Sequence, residues 1–108
     1  ELIIIDNKST DHTVEVIQSY RDSRIKFYQN DTNIGMVANW NKALTLVSGE
    51  YIKIVPADDF LYPGSLKVQV EVLERDKEGK IALVCGRKRI IDDSGKTLFT
   101  RAVATGCS

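Results

Sequence analysis

The chain has little of what marks several large protein classes. Its 108 residues hold two cysteines, one histidine, one methionine, one tryptophan and two prolines. Neither Cys85 nor Cys107 has a second cysteine or a histidine at zinc-ligand spacing, which argues against a structural zinc site, and two thiols make no disulfide framework. Cys85 is expected to be a buried strand residue and Cys107 a thiol in a loose tail. Charge of one sign is also missing: 15 basic residues balance 15 acidic ones, so no net field draws the chain to nucleic acid or to an anionic membrane surface. An anionic ligand has to be captured locally. The longest apolar stretches, residues 2–5 and 81–85, are far too short to span a bilayer, and no basic stretch followed by an apolar run opens the chain. There is no internal repeat and no low-complexity segment.

What is present suits one domain over residues 1–108, since a 43% hydrophobic content can bury a modest core. The first residue is Glu1 and an apolar run follows at once, which reads as a chain cut just before a strand. Leu2, Ile3, Ile4 and Ile5 predict a strand buried on both faces, as in a parallel sheet, ending at Asp6. Ser9, Thr10 and Asp11 offer N-caps for a short helix carrying Val14, Ile17 and Tyr20. Ile25 and Phe27 alternate with Lys26 and Tyr28, the pattern of a half-exposed strand near a sheet edge. From Met36, the positions Trp40, Ala43, Leu44 and Val47 form the apolar stripe of a helix, stopped by Ser48 and Gly49. Residues 51–55 predict a second buried strand, halted by Pro56, with Ala57, Asp58 and Asp59 just past its end. Pro63 starts another predicted helix with Leu66, Val70 and Leu73 on one face. Residues 81–85 predict a further strand. The turn residues Asp92, Asp93, Ser94 and Gly95 predict a hairpin joining residues 89–91 to 97–99. This order of elements indicates an α/β fold, a mostly parallel sheet with helices on both faces.

In such a sheet the ligand site lies beyond the carboxyl ends of the strands. Asp6 with Asn7, and Asp58 with Asp59, fall at two such ends, and neighbouring strands would bring them to one rim. Adjacent carboxylates repel, a cost best tolerated when a divalent cation lies between them and a phosphate. An aspartate pair in a loop is also ordinary solvated turn chemistry. Lone His12, beside a helix start, reads as solvated and is given no role.

The segment ELIIIDNKSTDHT resembles the strand and loop of family 2 glycosyltransferases, hydrophobics followed by D-D/N-x-S-x-D-x-T. The segment NIGMVANWNKALTLVSGEYIKIVPADD is similar to the same family's N-x-G, N-x-A/G, G-E-Y-I and D-D succession. Several motifs in order and spacing are far more specific than any one alone. The resemblance covers nearly the whole chain and implies a Rossmann-like GT-A half domain that binds a nucleotide-sugar.

By that resemblance Asp59 is the ligand of Mn²⁺ or Mg²⁺ bridging the donor diphosphate, and Asp58 contacts the ribose or sugar. Asp6 and Asn7 match the pair of which one accepts a hydrogen bond from the base. Asn7 stands where aspartate is frequent; its amide oxygen can accept and its NH₂ can donate, which leaves the preferred base open. Asn33, Gly35 and Asn41 match the loop and helix start near the nucleotide. Gly35 reads equally as a positive-φ position and Asn41 as a backbone cap. Trp40 stands where many members carry arginine; it reads first as core packing, with Lys42 the weak substitute for the cation.

The resemblance further implies transfer of a sugar, with inversion, to a saccharide or lipid-linked acceptor of the cell envelope, in the cytoplasm or at the inner face of its membrane. The base that removes the acceptor's proton lies further along in the family than this chain reaches, and the opening strand is missing too. Asp92 and Asp93 read as turn chemistry, not as that base. The chain alone is therefore expected to bind donor weakly and not to turn over. Two alternatives stand beside this reading: a non-catalytic, receiver-like α/β signalling module, and a pseudoenzyme fragment. The receiver would need an aspartate ending the central strand and a lysine ending a later one, and no lysine follows residues 81–85 until Lys88.

Overall fold

In the computed structural model, which describes residues 1–101, the opening apolar run is β1 (Leu2–Asp6) and the alternating run is β2 (Ile25–Gln29). They pair in parallel, Leu2 opposite Ile25 through to Asp6 opposite Gln29, so both strands end side by side. Two further backbone bonds, Leu2 N–H to Arg24 O and Asn30 N–H to Asp6 O, each 2.9 Å, extend the ladder at either end. Helix α1 (Thr13–Ser19) makes the crossover. His12 is its N-cap residue and supplies no side-chain cap, whereas the Asp11 carboxylate takes the Thr13 N–H at 3.0 Å. His12 is solvated, as expected, its side chain 88% exposed beside Glu15.

Helix α2 (Met36–Leu46) begins after Gly35 and packs on β1. Asn39, Ala43 and Leu46 are its half-buried line, spaced four and three residues apart as one helical face requires. Trp40 and Leu44 stay 41% and 44% exposed, so the expected core packing of Trp40 is only partial. Their half of the wide apolar stripe is only partly covered among the described residues.

Contacts divide the chain into two units, Glu1–Ile52 and Lys53–Ser108. In the second, α3 (Ser65–Arg75) starts two residues later than Pro63, because Gly64 takes a left-handed φ of 78° that cannot continue a helix. The hairpin forms as expected: β3 (Lys88–Ile91) runs antiparallel to β4 (Thr97–Arg101), with a bulge at Ile90 and Ile91. The Asp92 carboxylate organises the turn, accepting the Ser94 and Lys96 N–H groups at 3.0 Å each and the Ser94 hydroxyl at 2.6 Å. Arg89 lies over the Tyr62 ring, 5.1 Å from its centroid.

Two expected strands are absent. Residues 51–55 and 81–85 have extended-strand composition but join no sheet among the described residues, and a strand is defined by its neighbour's hydrogen bonds. Ile52, Ile54 and Val55 are 53%, 48% and 42% exposed, and Cys85 is exposed, not buried. The sheet is thus a parallel pair plus a separate hairpin, with three helices, a smaller α/β arrangement than the sequence predicts. No hydrophobic side chain among the described residues is fully buried, so ladder bonds and polar ties carry an unusual share of the order. Cys107 lies outside the described residues.

One such tie is at Glu1. Its carboxylate accepts from Lys26 Nζ at 2.6 Å, the Ser48 N–H at 2.7 Å and the Ser48 hydroxyl at 2.9 Å, joining β1, β2 and the end of α2. The Lys26 hydrogen bond first, then the two from Ser48, hold this carboxyl down to about 2 from its ordinary 4.5. A lowered folded value means that the unfolded chain binds the proton more readily, so this contribution is whole above pH 4.5 and fades as pH falls toward 2. Acid unfolding of Glu1→Gln, followed by circular dichroism, is expected to have a shallower pH dependence across that window than the parent chain. Equal slopes would refute the assignment.

Candidate functional site

At the carboxyl ends of β1 and β2 the chain builds a network of four asparagines. Asn7 Nδ2 donates to Asn33 Oδ1 at 2.8 Å, and Asn7 Oδ1 accepts from Asn30 Nδ2 at 2.9 Å and from the Ile34 N–H at 3.0 Å. Asn33 Oδ1 also takes the Gly35 N–H at 2.9 Å, while Asn30 Nδ2 donates to Asn39 Oδ1 at 2.8 Å. Lys42 Nζ donates to Asn30 Oδ1 at 2.7 Å. Asn30 is 3% exposed and is the hub.

The pairing of β1 with β2 explains this convergence. Asp6 opposes Gln29, so the residues that follow, Asn7 and Asn30, leave the sheet as neighbours. Asp6 itself is 4% exposed. Its two oxygens accept the Ser9 N–H at 3.2 and 3.1 Å, Gln29 Nε2 at 2.9 Å and the Ser9 hydroxyl. Burial alone would push this carboxyl up, but the hydrogen bonds from Ser9 and Gln29 together outweigh it and hold it below its ordinary value. Lys8, between them, has a φ of 67°, a conformation that lets the chain turn back so that Ser9 reaches Asp6.

Of the residues singled out in the sequence, the structure brings together Asn7, Asn33 and Gly35, with Asp6 anchoring their loop. Asn41 is exposed on α2 and its side chain makes no hydrogen bond among the described residues; Asn39, two positions earlier, is the helix residue that faces the strand ends. Gly35 carries φ 81° and ψ 160°, a region open essentially to glycine alone. A Cβ there would meet nothing within 4 Å, so the penalty is backbone strain rather than collision. Gly35→Ala is expected to destabilise the first unit by about 1–2 kcal/mol. A urea midpoint unchanged by the substitution would refute this.

Asp58 and Asp59 belong to the second unit. Both are exposed, and the Asp59 N–H closes a turn onto Pro56 O at 3.1 Å. Neither carboxylate has a hydrogen-bond or ion-pair partner among the described residues, where no group of three or more metal-capable side chains occurs either. Unspent carboxylate oxygens of this kind fit a hard cation whose remaining ligands are phosphate oxygens and water. The second unit also has a hollow of about 500 Å³ walled by Tyr62, Ser65, Gln69, Val84 and Cys85, and neither aspartate lines it.

Sequence reasoning missed Asn30, Asn39 and the seat of Lys42. The signal was available for Asn30, which directly follows the second strand of a parallel pair.

These features define an α/β protein with polar loops gathered at the carboxyl ends of its parallel strands. Its membership is narrower: the profile described as Glycosyl transferase family 2 matches residues 1–103, and the chain belongs to that family. It is 34% identical over 99 residues to an uncharacterized glycosyltransferase of Methanocaldococcus jannaschii, covering 90% of this chain and 33% of that protein. It is 36% identical over 84 residues to the putative glycosyltransferase EpsE of Bacillus subtilis, 75% of this chain and 30% of the relative. It is 34% identical over 77 residues to WfaP of Escherichia coli, a UDP-Glc:alpha-D-GlcNAc-diphosphoundecaprenol beta-1,3-glucosyltransferase, covering 71% of this chain and 31% of WfaP. The chain spans about one third of the length of these curated relatives. No solved structure matches it. Membership sets aside the receiver-like module. No helix among the described residues is long and apolar enough to cross a membrane.

Proposed function

We propose that the protein transfers a sugar, with inversion, from a nucleoside-diphosphate sugar to an acceptor hydroxyl, and that these residues seat the donor. The observation that carries the reading is the polar network at the β1 and β2 ends, in the segment where the family motifs fall. In it, Asn7 and Asn33 contact the nucleotide, Gly35 shapes their loop, Asn41 lies at the helix beside them, and Asp6 holds the turn from which Asn7 projects. Asp58 contacts the ribose or sugar. Asp59 would hold a Mn²⁺ or Mg²⁺ ion, which when bound would supply Lewis-acid stabilisation of charge on the leaving diphosphate. Asp92 and Asp93 are read as turn residues rather than as the base, a reading that the three hydrogen bonds to Asp92 Oδ1 support.

The name of WfaP supports a UDP-linked donor and a lipid-linked diphosphate acceptor. Work on such an acceptor is proposed to take place in the cytoplasm, at the inner face of the membrane. Calorimetry of the intact protein with Mn²⁺ and a series of nucleoside diphosphates tests the reading. Heat that requires both metal and nucleotide, and is lost in Asp59→Ala, is the expected result. Binding indifferent to metal, or no binding to any nucleotide, would sink it.

A further inference from the structure

The polarity of the asparagine network is not a free choice. An asparagine amide can be turned end for end without changing its shape, so its oxygen is located only by partners that must donate. Three such partners are present. The Ile34 N–H fixes Asn7 Oδ1, the Gly35 N–H fixes Asn33 Oδ1, and the Lys42 ammonium fixes Asn30 Oδ1. With Asn30 so oriented, its NH₂ group has to donate to Asn7 and to Asn39.

The remaining valences then follow by counting. A carbonyl oxygen has two lone pairs. Asn7 Oδ1 already accepts from Asn30 and Ile34, and Asn33 Oδ1 from Asn7 and Gly35, so both are filled. Asn7 Nδ2 has spent one of its two N–H groups, and Asn33 Nδ2 neither, among the described residues. Asn33 is exposed and Asn7 half-buried, so the unspent groups lie where a ligand can reach them. Lys42 adds an ammonium that no carboxylate neutralises among the described residues.

We infer that the Asn7 and Asn33 carboxamides form a donor-only edge, set by Asn30, so that the part of the nucleotide seated there presents bare acceptors and no N–H. Those acceptors are a base carbonyl or a phosphoryl oxygen. The inference rests on the functional reading above and sharpens it. An asparagine at position 7 is open to both donors and acceptors in the sequence; here its oxygen is already spent. Asn30 is a positioning residue, since it acts on the ligand only by holding Asn7.

Asn33→Asp isolates the claim. Aspartate keeps an oxygen for the Gly35 N–H and for Asn7 Nδ2, preserving both internal bonds, and converts only the outward NH₂ into an acceptor. Thr32→Asp, one exposed position away, adds the same charge without touching the network. Affinity of the intact protein is measured by calorimetry for UDP, CDP, GDP and ADP, their nucleosides, and inorganic pyrophosphate. Asn33→Asp is expected to weaken binding of the preferred diphosphate by about tenfold or more, the scale of a lost hydrogen bond to a charged or polar acceptor, while Thr32→Asp changes it far less. A loss shared with pyrophosphate places a phosphoryl oxygen on the edge, and a loss shared only with the nucleoside places a base carbonyl there. Equal losses in the two variants, or no loss in Asn33→Asp, overturn the inference alone. Failure of the unsubstituted protein to bind any of the diphosphates overturns the functional reading and this inference with it.

Discussion

Asp59→Ala is expected to lower the transfer rate of the intact protein by about 10²–10³, the loss that follows when about 3–4 kcal/mol of charge stabilisation on a leaving diphosphate is withdrawn. The fold should survive. Asp59 is exposed, and its one hydrogen bond among the described residues runs from its backbone N–H to Pro56 O, which alanine keeps. Surface changes of that kind usually shift stability by no more than about 0.5 kcal/mol. Asp58→Ala is expected to act mainly on KM, because a ribose or sugar contact is made as well in the ground state as in the transition state. The decisive comparison is the Mn²⁺ dependence of both variants beside the unsubstituted protein. If Asp59→Ala retains its rate within about threefold and its metal response, the aspartate is solvated turn chemistry and the metal lies elsewhere.

The sequence was most legible where structure is local or is fixed by one strong partner. β1, β2 and α2 fall where period and composition put them, and the hairpin follows from the turn chemistry of Asp92 and Gly95. Residues 51–55 and 81–85 carry patterns as good as that of β1, yet form no strand. A strand needs a neighbour, and no local pattern states whether one is present. The start of α3 was misjudged for a smaller reason: Pro63 is a favourable first residue, but Gly64 after it adopts a left-handed φ.

The candidate site divides in the same way. Motif order found Asn7, Asn33 and Gly35, which the structure joins through two hydrogen bonds of 2.8 and 2.9 Å. It also chose Asn41, whose side chain meets no hydrogen-bond partner among the described residues, and passed over Asn39 two positions earlier. Only packing of α2 against β1 decides which of the two faces the strand ends. Asn30 escaped because its importance depends on register: with Asp6 opposite Gln29, the next pair must meet.

Asp6→Ala is expected to destabilise the first unit by about 1–3 kcal/mol, since it removes a buried carboxylate that accepts from a backbone N–H, a hydroxyl and an amide. Those groups are the Ser9 N–H, the Ser9 hydroxyl and Gln29 Nε2. Asp6→Asn should recover only part of the loss, because its NH₂ would face a donor wherever it points. The pH dependence gives an independent reading. Hydrogen bonding outweighs burial and lowers the folded value of Asp6, so its contribution is present above the unfolded value, ordinarily about 3.9, and disappears as pH falls through the folded one. In Asp6→Ala this share of the acid-side loss is therefore absent, while the share due to Glu1 remains and fades only in Glu1→Gln. Nucleotide affinity should fall as well, because the turn that Asp6 closes onto Ser9 carries Asn7 into the network. Urea unfolding at neutral and acid pH, with calorimetry on the same variants, checks all three consequences. Unchanged stability would make the carboxylate a ligand contact rather than an anchor, and unchanged affinity alongside lost stability would detach the turn from the donor site.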